Sequence, residues 1–236
     1  MLLKTLKKKR RTIALKQARW LGVNFSNFLL HLSYLIKNSN HFRKYAHIKT
    51  LSNRSDFYET IKNKENLRKE DIFFIEFGVW KGQSFKWWLA HNTNKNSRFT
   101  GFDSFEGLPE DWKKNHFKGK FSTLGKTPEG VNDERSSFEK GLFQETLFAF
   151  TRENDLALKN KKLVIHLDAD LYSSTIYVLS TLLPFIKQSD ILIFDEFYIL
   201  QSPHHEFRAF LDFVTMTGCE YEGIAKTNTQ FALKIM

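Results

Sequence analysis

Four apolar segments of this chain each carry an acidic residue at or next to their C-terminal end. Their sequences are IFFIEF (72–77), RFTGFD (98–103), LVIHLD (163–168) and ILIFDE (191–196). Fused apolar runs of this length are typical of strands that are buried on both faces of a sheet. We therefore predict strands over about 71–77, 98–105, 162–168 and 190–197.

Segments with helical periodicity alternate with these strands. We predict helices over 55–69, with Ser55 or Asp56 as its cap, and over 144–158, 172–188 and 205–216, and a further helix that carries Phe85, Trp88 and Leu89. Two short strand-like pieces, CEYEGIA and TQFALKI, close the chain, and the polar stretch from Pro109 to about Ser137 is predicted to be rich in loops. Strands that alternate with helices predict an α/β fold with a mostly parallel sheet and helices on both faces.

The composition is that of a globular protein with one main domain. The chain has 236 residues, 42% of them hydrophobic, which is enough for a sizeable core. Its single cysteine, Cys219, excludes an internal disulfide and a thiolate zinc cluster, and so fits a reducing compartment.

The net charge of +10 is concentrated at the N-terminus. Residues 1–55 contain 13 Lys or Arg and no Asp or Glu, whereas residues 56–236 have a net charge of −3. We therefore predict a basic helical segment over 1–55 and a catalytic domain over 56–236. Three alternatives remain for the segment: an amphipathic helix at an anionic membrane surface or partner, an organellar presequence, or a helix packed on the domain.

The acidic residues at the strand ends predict a cation site. If the sheet is parallel, these ends lie along one edge, where ligands bind in such folds. Asp168 and Asp170 are spaced i, i+2 and would point to one spot, and Asp195 and Glu196 end the neighbouring segment. Carboxylates converge only when they are protonated or neutralised by a cation, and an all-oxygen set fits Mg²⁺.

Three histidines offer a zinc site as an alternative. They are His166, inside the predicted strand, and the adjacent pair His204 and His205. Because His166 lies in the middle of an apolar run, a core histidine is the better interpretation.

The turn EFGVWKGQS after the first strand predicts the cofactor. It has Gly78 and Gly82 but lacks the middle glycine of a dinucleotide-binding turn, and Glu76 precedes it. A carboxylate there would repel a pyrophosphate but would suit the ammonium or sulfonium of S-adenosylmethionine. Asp103, at the end of the second strand, would bind ribose hydroxyls or cap a neighbouring helix.

A divalent cation beside a sulfonium donor indicates O-methylation. Coordination lowers the pKa of a hydroxyl, and a nearby carboxylate accepts its proton while the oxygen attacks the methyl group.

With these residues the chain resembles the macrocin O-methyltransferase family, metal- and S-adenosylmethionine-dependent sugar O-methyltransferases. The matching pieces are FIEFGVWKGQS, GFDSFEGLPEDW, GLFQETL, HLDADLYSST, IFDEF and HEFRAF, in order from about residue 71. The resemblance implies a class I methyltransferase (Rossmann-like) fold with five parallel strands and a terminal antiparallel strand.

The resemblance also implies a role for each matching residue. Asp170 would be the general base, and the metal ligands would be Asp168, Asp195 and Glu196, the last standing where antibiotic-tailoring members have Asp. The cofactor-binding residues would be Glu76, Gly78, Gly82, Ser84, Asp103, Ser104 and Gly141.

We therefore expect an S-adenosylmethionine- and Mg²⁺-dependent enzyme that methylates a sugar hydroxyl, free, nucleotide-linked or in a glycan. The alternatives are a non-sugar diol or phenol as acceptor, or a membrane- or partner-binding protein that keeps the fold without turnover. Nucleic acid is not expected as a partner, because the basic residues lie outside the predicted catalytic domain. We expect a cytoplasmic location, at the inner face of a membrane if the basic segment binds one, and a homo-oligomer as one arrangement.

Overall fold

The computed structural model describes residues 36, 43–112, 115–197 and 205–236. Residues 48–236 form one compact unit and residues 1–47 form another. Most of the basic N-terminal segment lies outside the described residues, so the three alternatives for it remain predictions. No helix within the described part of the chain combines the length and the apolar character needed to cross a bilayer.

One seven-stranded sheet organises the larger unit. Its strands are β1 (Ile72–Phe77), β2 (Arg98–Asp103), β3 (Ser136–Lys140), β4 (Lys162–Leu167), β5 (Ile191–Phe194), β6 (Tyr221–Lys226) and β7 (Phe231–Ile235). They are arranged in the order β3-β2-β1-β4-β5-β7-β6. The first five run parallel, and β7 is antiparallel to both β5 and β6. The predicted mostly parallel sheet with a terminal antiparallel strand is confirmed.

Helices cover both faces of this sheet. They are α1 (Arg54–Lys64), α2 (Gln83–His91), α3 (Phe143–Glu153), α4 (Asp155–Asn160), α5 (Tyr172–Leu182) and α6 (Glu206–Thr217). On one face, Phe74 of β1 stacks on Trp88 of α2, with ring centroids 5.6 Å apart. On the other face, its neighbour Phe73 meets Phe150 of α3. Every residue of β1 is buried, as its unbroken apolar sequence predicts.

Several predicted boundaries were wrong. The stretch predicted as loop up to Ser137 ends in an edge strand, β3, whose sequence SSFEK is too polar to be recognised as a strand. The helix predicted over 144–158 is interrupted at Asn154, which ends α3 and precedes α4. Helix α1 is capped by Asn53, which accepts a hydrogen bond from the backbone N–H of Asp56, and not by Ser55 or Asp56.

Candidate active site

A cavity opens at the carboxyl edge of the parallel strands. Its volume is about 300 Å³, within the range of small-molecule sites. Eight of the predicted site residues line it: Gly78, Asp103, Ser104, Gly141, Asp168, Asp170, Asp195 and Glu196. The remaining three, Glu76, Gly82 and Ser84, are not among the lining residues.

The turn after β1 lies against the segment after β4. Gly78 has φ +91°, and a Cβ atom at this position would lie 1.9 Å from the carbonyl oxygen of Asp168. Only glycine permits this approach, since any side chain would overlap that backbone atom. The contact fixes the predicted cofactor turn beside the predicted cation site.

Asp103 holds the same turn from the side of β2. Its Oδ2 accepts hydrogen bonds from the backbone N–H groups of Val79 (2.9 Å) and Trp80 (2.7 Å), and its Oδ1 accepts one from Phe105 (2.7 Å). Asp103 thus holds the turn before α2 but does not cap that helix, whose N-cap is Gly82 without a side-chain cap. Asp103 also lines the cavity, so a role toward a ribose stays a prediction.

Glu76 is fully buried. Its Oε1 accepts a hydrogen bond from the hydroxyl of Ser84 and lies 2.9 Å from Nδ1 of His166. Its Oε2 has no hydrogen-bond partner among the described residues. The hydroxyl of Ser84 is thus bonded to Glu76, and the Oε2 atom of Glu76 has no hydrogen-bond donor among the described residues.

The two remaining predicted glycines both have positive φ. Gly82 (φ +70°) is the N-cap of α2, and a Cβ there would come within 2.8 Å of the Pro128 ring. Gly141 (φ +148°) follows β3 at the cavity wall. Their conformations explain the choice of glycine, and their roles toward a cofactor stay predictions.

His166, Asp168 and Asp195 offer one ligand atom each within 4.8 Å of one another. Nε2 of His166 is buried without a hydrogen-bond partner among the described residues, and it lies 3.9 Å from Oδ1 of Asp195. His166 is the core histidine that the sequence predicted, since it is fully buried. Its second nitrogen nevertheless faces the acidic cluster, while Glu196 lines the cavity outside this three-residue group.

The two carboxylates of this group have opposite electrostatic surroundings. Burial, together with the nearby charges of Asp195 and Asp170, raises the pKa of Asp168 well above its ordinary value. Burial also opposes ionisation of Asp195, but His166 and Arg54 outweigh it and hold the pKa of Asp195 below its ordinary value.

Asp195 also has two direct partners remote in the sequence. Nη2 of Arg54 lies 2.5 Å from its Oδ2, and Nε2 of Gln230 donates to its Oδ1 at 2.5 Å.

Asp170 reaches the cavity by a route that differs from the predicted one. Strand β4 ends at Leu167, so the alternation of a strand does not govern residues 168–170. Asp170 instead has φ +60°, in the left-handed region that aspartate tolerates better than most residues. Asp168 and Asp170 still line one cavity, but a turn brings them together.

Glu206, the first residue of α6, supports this turn from behind. Its Oε1 accepts hydrogen bonds from the backbone N–H groups of Ala169 (3.1 Å) and Asp170 (3.3 Å), and its Oε2 accepts one from Glu196 (2.9 Å). Burial and the charges of Asp195 and Asp170 raise its pKa well above the ordinary value, against the effect of the Glu196 N–H.

Sequence reasoning missed Glu206, Arg54 and Gln230. Each acts on the site from 10 to 141 residues away along the chain. The only local signal was for Glu206, an acidic residue at the predicted start of a helix, where the helix dipole favours it.

The residues present fit a divalent cation. The carboxylates of Asp168, Asp170 and Asp195 all belong to the cavity lining. The Nε2 atom of His166, which has no hydrogen-bond partner among the described residues, belongs to one group with Asp168 and Asp195. Such a donor set is stabilised by a positive ion.

The fold and site together define a class I methyltransferase. The model of the macrocin O-methyltransferase family (TylF) matches residues 49–217. The chain therefore belongs to this family of O-methyltransferases, and the protein is an O-methyltransferase enzyme, for which the family supports S-adenosylmethionine as methyl donor.

Solved structures with the same fold include two named O-methyltransferases. The calicheamicin methyltransferase CalS11 is 21% identical with a TM-score of 0.60, over 76% of this chain and 78% of its own. The O-methyltransferase NovP is 20% identical with a TM-score of 0.54, over 76% of each chain. A structure of CalS11 without ligand, described as a TDP-rhamnose 3′-O-methyltransferase, gives a TM-score of 0.54 at 20% identity, over 76% of this chain and 78% of its own. No curated protein matches the chain.

Proposed function

We propose that the protein transfers the methyl group of S-adenosylmethionine to a sugar hydroxyl with the help of Mg²⁺. The observation that carries this proposal is that two sets of residues line the same cavity. One set is the glycine turn with Asp103, and the other is the carboxylate cluster after β4 and β5. Family membership and the likeness to CalS11, a methyltransferase of TDP-rhamnose, support a sugar as acceptor.

The metal would be held by Asp168 and Asp195, with the Nε2 atom of His166 and the carboxylate of Glu196 as the further donors. When bound, Mg²⁺ lowers the pKa of the acceptor hydroxyl, and S-adenosylmethionine supplies the methyl group. Nδ1 of His166 is bonded to Glu76, the outer carboxylate contact that orients an imidazole toward a metal.

Side chains of the protein would have separate roles in the reaction. Asp170 would accept the hydroxyl proton on its carboxylate as the new oxygen–carbon bond forms, while the sulfur–methyl bond breaks and S-adenosylhomocysteine leaves. Arg54 and Gln230 orient the carboxylate of Asp195. Asp103 and Gly78 hold the turn that would line the methionine and ribose side of the cofactor.

Titration calorimetry and turnover test the proposal together. The folded protein should bind S-adenosylhomocysteine, and in the presence of Mg²⁺ it should convert S-adenosylmethionine to S-adenosylhomocysteine with a sugar acceptor. The acceptor panel contains free monosaccharides, nucleotide-linked sugars and a glycan polymer, with catechol as the phenolic probe. Asp170→Asn is the matched control, since it preserves the shape of the site.

Four outcomes contradict parts of the proposal. Absence of S-adenosylhomocysteine binding would refute the cofactor. Full activity in the presence of a chelator would refute the metal. Turnover of catechol without turnover of any sugar would refute the acceptor class. Turnover by Asp170→Asn at the wild-type rate would refute the base.

A further inference from the structure

Glu206 is a fully buried carboxylate that bonds to both acidic segments of the site. One of its oxygens accepts from the segment after β4 through Ala169 and Asp170, and the other accepts from the segment after β5 through Glu196. The two strands are neighbours in the sheet, but they are joined in sequence only through α5 and its loops. Glu206 is therefore a single side chain that bonds to both segments at once.

The electrostatic surroundings alone do not favour a carboxylate at this position. Asp195, Asp170 and Glu196 all repel a negative charge there, and burial removes the stabilisation that water would give. Three backbone N–H groups nevertheless bond to its two oxygens, so that these buried acceptors have partners. The bonds to the two segments thus fix the position of this side chain.

The geometry points to Glu206 as a positioning residue for the metal site. It holds the turn that carries Asp168 and Asp170 at a fixed separation from the segment that carries Asp195 and Glu196. This inference rests on the proposed function, since the held separation is that of the proposed metal ligands. Outer contacts of this kind typically change metal affinity by about 10–100-fold when they are removed.

Two variants separate positioning from charge. Glu206→Gln keeps the length of the side chain but offers one acceptor oxygen, so that an NH₂ group faces one of the two segments. Glu206→Asp keeps the carboxyl group but is one methylene shorter, so it cannot reach both segments. Asp212→Asn is the matched control, because it removes a carboxylate from the same helix, where Asp212 contacts Tyr172 and Arg208 and neither acidic segment.

The first measurement needs no metal. Hydrogen exchange of the apo protein should show exchange at least about tenfold faster in peptides covering 168–171 and 195–197 for both Glu206 variants, as expected when local opening becomes easier. Peptides from β2 should exchange as in the wild type, which separates local release from global unfolding. Exchange at the wild-type rate in both variants would overturn the inference, whatever becomes of the methyl transfer reaction.

The second measurement is titration of the apo protein with Mg²⁺ and, separately, with S-adenosylhomocysteine. Both Glu206 variants should bind Mg²⁺ about 10–100-fold more weakly and S-adenosylhomocysteine within about threefold of the wild type. The Asp212→Asn control should match the wild type in both titrations.

The outcomes distinguish this inference from the proposed function. Weak Mg²⁺ binding by Glu206→Gln with wild-type binding by Glu206→Asp would identify a charge effect and overturn the positioning role. Unchanged Mg²⁺ affinity in both variants would overturn it as well. Absence of Mg²⁺ binding by the wild type would instead refute the metal part of the proposed function, and this inference with it.

Discussion

Neighbouring carboxylates of this site differ in the partners that surround them. Asp195 has Arg54 and Gln230 within hydrogen-bond distance, whereas the carboxylate of Asp168 has no hydrogen bond or ion pair within the described ranges. Protein groups therefore stabilise a charge on Asp195, whereas burial and the charges of Asp195 and Asp170 raise the pKa of Asp168. An added cation would accordingly favour the ionised form of Asp168.

The proposed roles of Asp168 and Asp195 as metal ligands and of Asp170 as general base predict separate effects for their three amide variants. Asp168→Asn and Asp195→Asn should weaken Mg²⁺ binding, so that turnover requires more Mg²⁺ and is partly rescued by it. Asp170→Asn should retain Mg²⁺ and S-adenosylhomocysteine binding, while its turnover falls by about 10²–10⁴, the typical effect of losing a general base. Measuring methyl transfer against Mg²⁺ concentration, beside calorimetry of each variant, checks the prediction.

One result with these variants would contradict the prediction. If high Mg²⁺ rescues Asp170→Asn as well as it rescues Asp168→Asn, the division between ligand and base is wrong. Glu110→Gln serves as the control, since this exposed carboxylate accepts from the hydroxyl of Ser173 at 3.0 Å and is not among the cavity-lining residues.

At the level of single residues, the sequence predicted the strand-end acids but not the groups that support them. Asp168 and Asp195 follow apolar strands, so their positions could be inferred from local pattern and the geometry of parallel sheets. Glu206 bonds to the backbone N–H groups of residues next to them, Ala169, Asp170 and Glu196. Arg54 contacts Asp195 across 141 positions of sequence. Such contacts depend on packing between distant elements, which no local periodicity encodes.

Among the structural elements, the turn before β5 contains the clearest stability test. Asp190 is fully buried, and its two oxygens accept hydrogen bonds from the backbone N–H groups of Leu163 and Lys187, both at 2.8 Å. It therefore joins the start of β4 to the turn that precedes β5. Burial raises its pKa to about 6, against the effects of these N–H groups and of Lys187.

The raised pKa gives a definite sign to the pH dependence. Between the ordinary pKa and the folded value of about 6, the native state holds the proton of Asp190 more often than the unfolded state does. Its contribution to the free energy of unfolding therefore falls as pH rises through this range and is constant above it. Relative to Asp190→Asn, the wild type should lose roughly 2–3 kcal/mol between pH 4 and pH 7.

Chemical denaturation across this pH range checks the Asp190 prediction. Asp190→Asn also loses an acceptor for one N–H, which lowers stability by about 1–3 kcal/mol at every pH and so does not affect the slope. Glu153→Gln, at an exposed position of α3, is the control for removing a carboxylate. A difference between wild type and Asp190→Asn that is independent of pH would contradict the prediction.

The strands could be predicted where their sequences are apolar, and they were missed where they are not. Strands β1, β4 and β5 are central and buried on both faces, so that a continuous apolar run identifies them. Strand β3 lies at the edge of the sheet and has no fully buried residue, so its sequence carries no such signal. The predicted cap of α1 was wrong because several adjacent polar residues could cap this helix. The local geometry of the folded chain, which selects Asn53, is not visible in the sequence.

For the whole molecule, the separation of charge along the chain is the property that the fold does not explain. Residues 1–55 carry 13 basic and no acidic side chains, and six of the basic residues lie within residues 1–11. The remaining residues are slightly acidic, and the proposed active site lies among them, apart from Arg54, which contacts Asp195. The basic run within residues 1–11 is therefore predicted to act on location and not on chemistry.

We predict that removing residues 1–11 weakens binding to anionic lipid vesicles and leaves methyl transfer to a soluble acceptor unchanged. Each basic residue near an anionic surface contributes about 1 kcal/mol, and this attraction is screened by salt. Cosedimentation with anionic and neutral vesicles at low and high salt measures this binding.

Two double variants provide the matched comparison: Lys8→Gln/Lys9→Gln within the segment, and Lys69→Gln/Lys95→Gln at two exposed lysines outside it. The first pair should reduce binding and the second should not, because only the first lies in the concentrated basic run. Equal binding to neutral and anionic vesicles, or equal loss in both double variants, would contradict an electrostatic role for the N-terminus.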